Sequence, residues 1–260
     1  MTRRIFFVPF VPEGTSCLSL PVDVSHHIAR VLKYKPGTLI ELRDERGRAY
    51  KARIQKVSGQ NVTVTEVHRI NEPRGESPLH ITLMCALAPS EKLEKVIRQA
   101  TELGVNKIVV FPARRSKYSL KGEQIERKIE RWRRIAADAV CQCGRTKLPD
   151  IKYDQNLVTH DEFYDVKLVA YEKATASLID LIKSRKCSRV RRLCFSVGPE
   201  SGWTKEEIET FRAAGFVAVR FGTRVLRYET AVVSLTAICQ FVWGDLGFGV
   251  CKEEDNHEMP

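Results

Sequence analysis

An α/β fold in two parts is predicted for this 260-residue chain: a small β-rich domain, then a largely parallel sheet covered by helices. Three observations predict it. Residues 1–70 carry short runs of β-branched and aromatic residues punctuated by Pro36-Gly37, Arg46-Gly47 and Ser58-Gly59. Residues 71–78 hold two prolines, a glycine and no apolar residue, the composition of a linker. From residue 81 onward, strand-like and helix-like stretches alternate, the pattern of strands joined by crossover helices.

In the first part, strands are expected at 5–8, 39–43, 50–57 and 62–70, a set that suggests a small barrel. Residues 25–32 read as a short helix with Ile28, Val31 and Leu32 on one side. The domain boundary falls at 72/73. In the second part, strands are expected at 81–87, 108–111, 168–171, 193–197 and 217–221. Ser90 is placed to cap a helix carrying Leu93, Val96, Ile97 and Ala100 at helical spacing and closed by Gly104. A long amphipathic helix over 123–140 sets Ile125, Ile129, Trp132, Ala136 and Ala139 on its apolar side. Thr204 through Glu207 is a capping box, and the last helix spans about 229–242. The second domain extends to 251, and residues 252–260 read as a disordered tail.

Lysine and arginine outnumber acidic residues 43 to 32, a net charge of +11 that favours polyanionic partners such as nucleic acid. No apolar run approaches the ~20 residues that span a bilayer. The short apolar stretch 5–11, broken by Pro9 and Pro12, does not read as a signal peptide, so the cytoplasm is the expected compartment. The eight cysteines are scattered without a Cys-x-x-Cys pair and read as reduced thiols, several of them in the core. The histidines show no metal-ligand spacing, and no metal is expected.

Several chemistries lack their sequence marks. There is no Gly-x-Gly-x-x-Gly after a strand, no phosphate-binding Walker loop, no His-Glu-x-x-His and no Gly-x-Ser-x-Gly. Two turns after late strands remain. Val197-Gly198-Pro199-Glu200-Ser201-Gly202-Trp203 follows one strand; Phe221-Gly222-Thr223-Arg224-Val225-Leu226-Arg227-Tyr228-Glu229-Thr230 follows the next and leads into the last helix. Glycine permits close backbone approach, and loops at the carboxyl ends of parallel strands are where α/β sheets bind ligands. Taken singly, each is a tight turn, and Glu229 or Thr230 would favour a helix start.

Taken together, these two segments resemble the paired signatures of the bacterial 16S rRNA (uracil-N3)-methyltransferases, the RsmE-type branch of the SPOUT superfamily. Residues 90–94 with 99–105 are similar to that family's first conserved helix. Gln142-Cys143-Gly144-Arg145 is similar to its glutamine–small–glycine–arginine turn. In the small domain, residues 27–32, 36–37 and 48–54 resemble its PUA-like RNA-binding module. Ser201 stands where glycine is common, Tyr228 where threonine is common and Lys33 where arginine is common.

The resemblance implies a deep trefoil knot in the second domain, a homodimer and S-adenosyl-L-methionine as methyl donor. The cofactor positions it implies are Tyr171, Glu172, Val197, Gly198, Pro199, Glu200, Gly202, Phe221, Gly222, Val225, Leu226 and Arg227. It implies 16S rRNA within the small ribosomal subunit as substrate. For that reaction Arg224 or Arg227 is expected to stabilise the developing uracil anion. Glu229 would orient an arginine or cap the last helix. Arg3, Arg4, Arg30, Lys33 and Arg145 are the expected RNA contacts. A non-catalytic ribosome-assembly factor on the same fold, and a methyltransferase acting on a different rRNA nucleotide, are the alternative readings.

Overall fold

The computed structural model describes residues 5–59, 61–70, 75–158, 162–183, 190–220 and 222–247. Arg3, Arg4, Phe221, the 72/73 boundary and the tail from 252 lie outside the described residues.

The small domain is one five-stranded sheet in the order β1-β3-β4-β5-β2. It comprises β1 (Ile5–Val8), β2 (Cys17–Ser19), β3 (Leu39–Asp44), β4 (Ala49–Ser58) and β5 (Asn61–Ile70). β1 runs parallel to β3, and the other neighbours pair antiparallel. Alternation along β3 and β4 turns Ile40, Leu42, Ala52 and Ile54 into one core with Phe6, Val62 and Val64. The predicted helix at 25–32 is instead α1 (Val22–His26) running into a π turn over His27–Val31. Leu32 N–H therefore reaches back to His27 O at 2.9 Å. This wider turn changes the side-chain phase: Ile28 is buried, whereas Val31 and Leu32 face outward.

The second sheet has six strands in the order β11-β9-β10-β6-β7-β8, and every pairing in it is parallel. Its strands are β6 (His80–Ala86), β7 (Lys107–Phe111), β8 (Asp150–Tyr153), β9 (Val166–Ala170), β10 (Arg192–Val197) and β11 (Val217–Val219). The helices are α2 (Ser90–Glu102), α3 (Glu123–Cys143), α4 (Leu178–Lys183), α5 (Lys205–Ala213) and α6 (Tyr228–Trp243). Period-two alternation on β6 separates two cores. Ile81, Leu83 and Cys85 join α2, α3 and α6 on one face, while Met84 and Ala86 join α5 on the other.

Three short elements had no sequence signal. β2 and β8 are end strands of three and four residues, and α4 has six residues, too short for either period to register. Ser90 does not cap α2: Pro89 holds that position without a side-chain bond, and Ser90 Oγ accepts from Lys128 Nζ at 2.6 Å. The capping box on α5 forms as its sequence predicts, Thr204 Oγ1 accepting from Glu207 N–H and Glu207 Oε2 from Thr204 N–H. Among the described residues, no helix is long and apolar enough to cross a membrane.

Candidate functional site

Because every strand of the second sheet points the same way, the loops after β9, β10 and β11 emerge at one edge. Together they wall a cleft of about 350 Å3. Tyr171 and Glu172 come from the first loop, Val197 through Gly202 from the second, and Gly222 through Leu226 from the third. Of the twelve expected cofactor positions, eleven lie in the described residues: ten line this one cleft, and Arg227 sits beside it as the residue that precedes α6.

The middle loop is shaped by an indole. Trp203 is buried, stacks on Phe111 at 6.0 Å and meets Phe211 edge-on at 5.0 Å. Its Nε1–H donates to Ala170 O at 2.8 Å, which fastens the loop after β10 to the end of β9. The ring lies against the backbone of Gly198, where a Cβ would come within 2.6 Å of Trp203 Cε2, so only glycine fits. Between them Gly202, at φ +73°, closes a turn by donating its N–H to Pro199 O at 2.9 Å. The motif is thus one device: Gly198 admits the ring, the turn reverses the chain, and Trp203 bolts it down.

Charge gathers at the mouth. Lys92, on the first turn of α2, is ion-paired with Glu200. That hydrogen bond to Glu200 raises the Lys92 pKa, with Glu229 acting in the same direction and Arg227 against it. Arg224 and Arg227 are exposed, while Glu229 is half-buried with Oε2 unpartnered in the protein among the described residues. Lys92 was absent from the sequence-predicted site. Its place there is set by a contact 108 residues away along the chain, which no local pattern reports.

Tyr228 and Ser201 each have a structural task. Tyr228 is buried, with its hydroxyl donating to Ala86 O at 2.9 Å; burial, first, pushes its pKa well up and keeps the phenol neutral. Ser201 Oγ donates to Arg115 O at 2.9 Å and so joins the cleft loop to the segment after β7.

Arg145 corrects the sequence reading. Its side chain is 3% exposed, inside the protein rather than on an RNA-facing surface. Nη1 donates to Thr101 O and Val105 O at 2.8 Å each, and Nη2 meets Glu76 Oε2 at 2.9 Å. Such an arginine satisfies backbone carbonyls at the end of α2, and four of its five donors are engaged inward. Arg30 and Lys33 are exposed on the small domain, Lys33 at φ +52°.

Comparison with known proteins bears on these features. The RNA methyltransferase domain model matches residues 75–240, and the RNA methyltransferase PUA domain model matches residues 20–67. A ribosomal RNA small subunit methyltransferase E from Bacillus subtilis is 31% identical over 234 residues, 87% of this chain and 91% of that one. The chain belongs to this methyltransferase family. Members and neighbours share its architecture. A methyltransferase from Legionella pneumophila with its cofactor S-adenosylmethionine superimposes at TM-score 0.87, 26% identical, covering 95% of this chain and all of that one. The methyltransferase E of Neisseria gonorrhoeae bound to S-adenosyl methionine gives TM-score 0.83 at 27% identity, covering 94% and 99%. The family membership makes this chain an RNA methyltransferase, and the cleft is where such an enzyme has three strand-end loops to work with.

Proposed function

We propose that this enzyme transfers a methyl group from S-adenosylmethionine to uracil N3 at one uridine of 16S rRNA. The observation that carries the reading is the cleft itself: three consecutive strand-end loops converge, with Arg224 in the lining and Arg227 next to it at the start of α6. The cleft suits the cofactor. Its volume of about 350 Å3 lies within the range of small-ligand pockets. Apolar side chains of Val197, Val225 and Leu226 stand beside the backbone that glycines leave accessible. When bound, S-adenosylmethionine supplies an electrophilic sulfonium methyl.

The chain's own residues then have three tasks. The loops of residues 197–202 and 222–226, with Tyr171, Glu172, Phe221 and Arg227, would hold the donor. Arg227, with Arg224, stabilises the negative charge that uracil acquires as N3 loses its proton. Glu229, fixed on the first turn of α6, orients the Arg227 guanidinium. Positioning of the nitrogen in line with the methyl supplies much of the remaining rate.

Around that centre, Arg3, Arg4, Arg30 and Lys33 give the small domain a phosphate-contacting surface that positions the RNA. We place the domain boundary at 72/73, the knot in the second domain and the enzyme in the cytoplasm. The working unit is a homodimer, for which α6 offers a face: Val233, Ala237 and Phe241 recur at helical spacing, and Phe241 is 64% exposed.

The decisive experiment is labelled methyl transfer to small subunits from cells lacking this activity, with mapping of the modified nucleotide. A 3-methyluridine in 16S rRNA is the expected product; modification of another atom or nucleotide overturns the reading. The ribosome-assembly alternative has no structural support from Ser201 or Tyr228, both of which serve packing and loop attachment.

A further inference from the structure

Beside the cleft, the segment between β7 and α3 is strongly basic. Residues 113–121 contain Arg114, Arg115, Lys117 and Lys121 and no acidic residue. The segment follows β7, so it leaves the sheet at the same edge as the cofactor loops.

Its backbone is held at three places. Arg114 N–H donates to Glu207 Oε1 at 2.8 Å, and Ser116 Oγ donates to Leu87 O at 2.9 Å. The third is reciprocal: Ser201 Oγ donates to Arg115 O at 2.9 Å, and Arg115 Nη1 donates to Ser201 O at 3.3 Å. The side chains are left outside. Arg114, Lys117 and Tyr118 are exposed, Tyr118 by 46%, and no described carboxylate is hydrogen-bonded to Arg114 or Lys117. On the long basic helix α3, by contrast, Arg127, Arg131 and Arg134 are each engaged by a glutamate, which leaves Arg133 as its exposed arginine without a described carboxylate partner. Glu206 on α5 lies near Arg114 and Arg115 but makes no hydrogen bond to either.

We infer that residues 114–118 are a docking surface for the RNA strand beside the target nucleotide, fastened to the cofactor loop through Ser201 and Arg115. This rests on the proposed function above and adds the surface that holds the substrate at the cleft. A rigid backbone presenting unpaired cations is suited to phosphates, and an exposed ring among them is suited to stacking on an unpaired base. The pairing with Ser201 makes the strand's position and the cofactor loop's position one geometry, which in-line transfer requires.

The test is binding to deproteinised 16S rRNA, with circular dichroism and thermal unfolding as the check that each variant is folded. Arg114→Ala/Lys117→Ala is expected to weaken RNA binding roughly tenfold and to flatten the salt dependence by about 1.5 in log–log slope, two phosphate contacts' worth. Tyr118→Ala is expected to weaken binding with the slope unchanged. Ser201→Gly, which keeps every charge, is expected to weaken binding about threefold at constant slope by freeing the segment. Arg134→Ala, whose guanidinium Glu130 already holds, is the control and should bind as wild type.

Wild-type affinity and slope in the double variant would overturn the proposal. So would a loss seen only with whole small subunits and not with bare RNA, because the surface would then face a ribosomal protein. Failure of the functional reading looks different: wild type would bind RNA in this residue-dependent way and yet transfer no methyl to uracil N3.

Discussion

The Trp203 indole rests on the Gly198 backbone so closely that a Cβ there would stand 2.6 Å from Cε2. Ring and glycine therefore specify each other. Gly198→Ala must displace a side chain that also stacks on Phe111 and holds Ala170 O. Overpacking of this kind costs roughly 1–3 kcal/mol. We expect a lower melting temperature and a more than tenfold loss of S-adenosylmethionine affinity by calorimetry, as the loop moves with the ring. Adding Trp203→Leu should restore part of the melting temperature; an unchanged single variant would show that the contact does not shape the cleft.

Arg227 precedes α6 at the mouth of the cleft, near Lys92 and Glu229. Loss of one donor to a developing anion costs about 10² or more in kcat. Arg227→Ala should lower kcat by that order while retaining measurable cofactor binding, and Arg227→Lys should recover part of it. Full turnover in Arg227→Ala would remove it from the reaction.

Arg145 and Glu76 form an interior pair, with Glu76 Oε1 also accepting from Thr146 N–H and Lys147 N–H at 2.9 and 2.8 Å. Removing one partner of a buried pair leaves the other charge uncompensated, at about 3–5 kcal/mol. Arg145→Ala should lower denaturant stability by that order. At low temperature, where the variant is folded, its RNA affinity should match wild type. A specific affinity loss with normal stability would return Arg145 to the RNA surface.

Tyr228 carries a phenol that reaches Ala86 O from the start of α6. Tyr228→Phe leaves that buried carbonyl short of a donor, a cost of about 1–3 kcal/mol. Thermal unfolding should report it. Tyr228→Thr should cost more, because the ring's volume is lost as well as its hydroxyl.

Acid stability draws on carboxylates held below their usual range, three of them by partners distant in the chain. Glu94 is lowered first by its hydrogen bond from Arg131, Glu162 first by that from Lys107, and Asp165 by the Arg191 and Arg192 amides. Each has a depressed folded pKa, so its contribution is complete above the unfolded value, 4.5 for the glutamates and 3.8 for the aspartate, and fades as pH falls through the folded one. The melting temperature should therefore drop on acidification below about pH 4.5. A flat profile from there down to about pH 3 would contradict these pairings.

Sequence alone determined the elements whose pattern is local. Alternation marked β3 through β6, helical spacing marked α2, α3 and α6, and the Thr204–Glu207 capping box formed as read. The two late loops were also legible, because glycine, proline and tryptophan at fixed offsets constrain the backbone within a few residues. What their sequence could not carry was partnership. Lys92 meets Glu200, and Ser201 meets Arg115, across 108 and 86 residues, so only the parallel sheet brings them to one edge. Arg145 shows the same limit from the other side: an arginine after a helix reads equally as a surface cation or an interior brace. Burial decides between them, and burial is a property of the packed chain, since it depends on which distant carbonyls and carboxylates the fold delivers to the guanidinium.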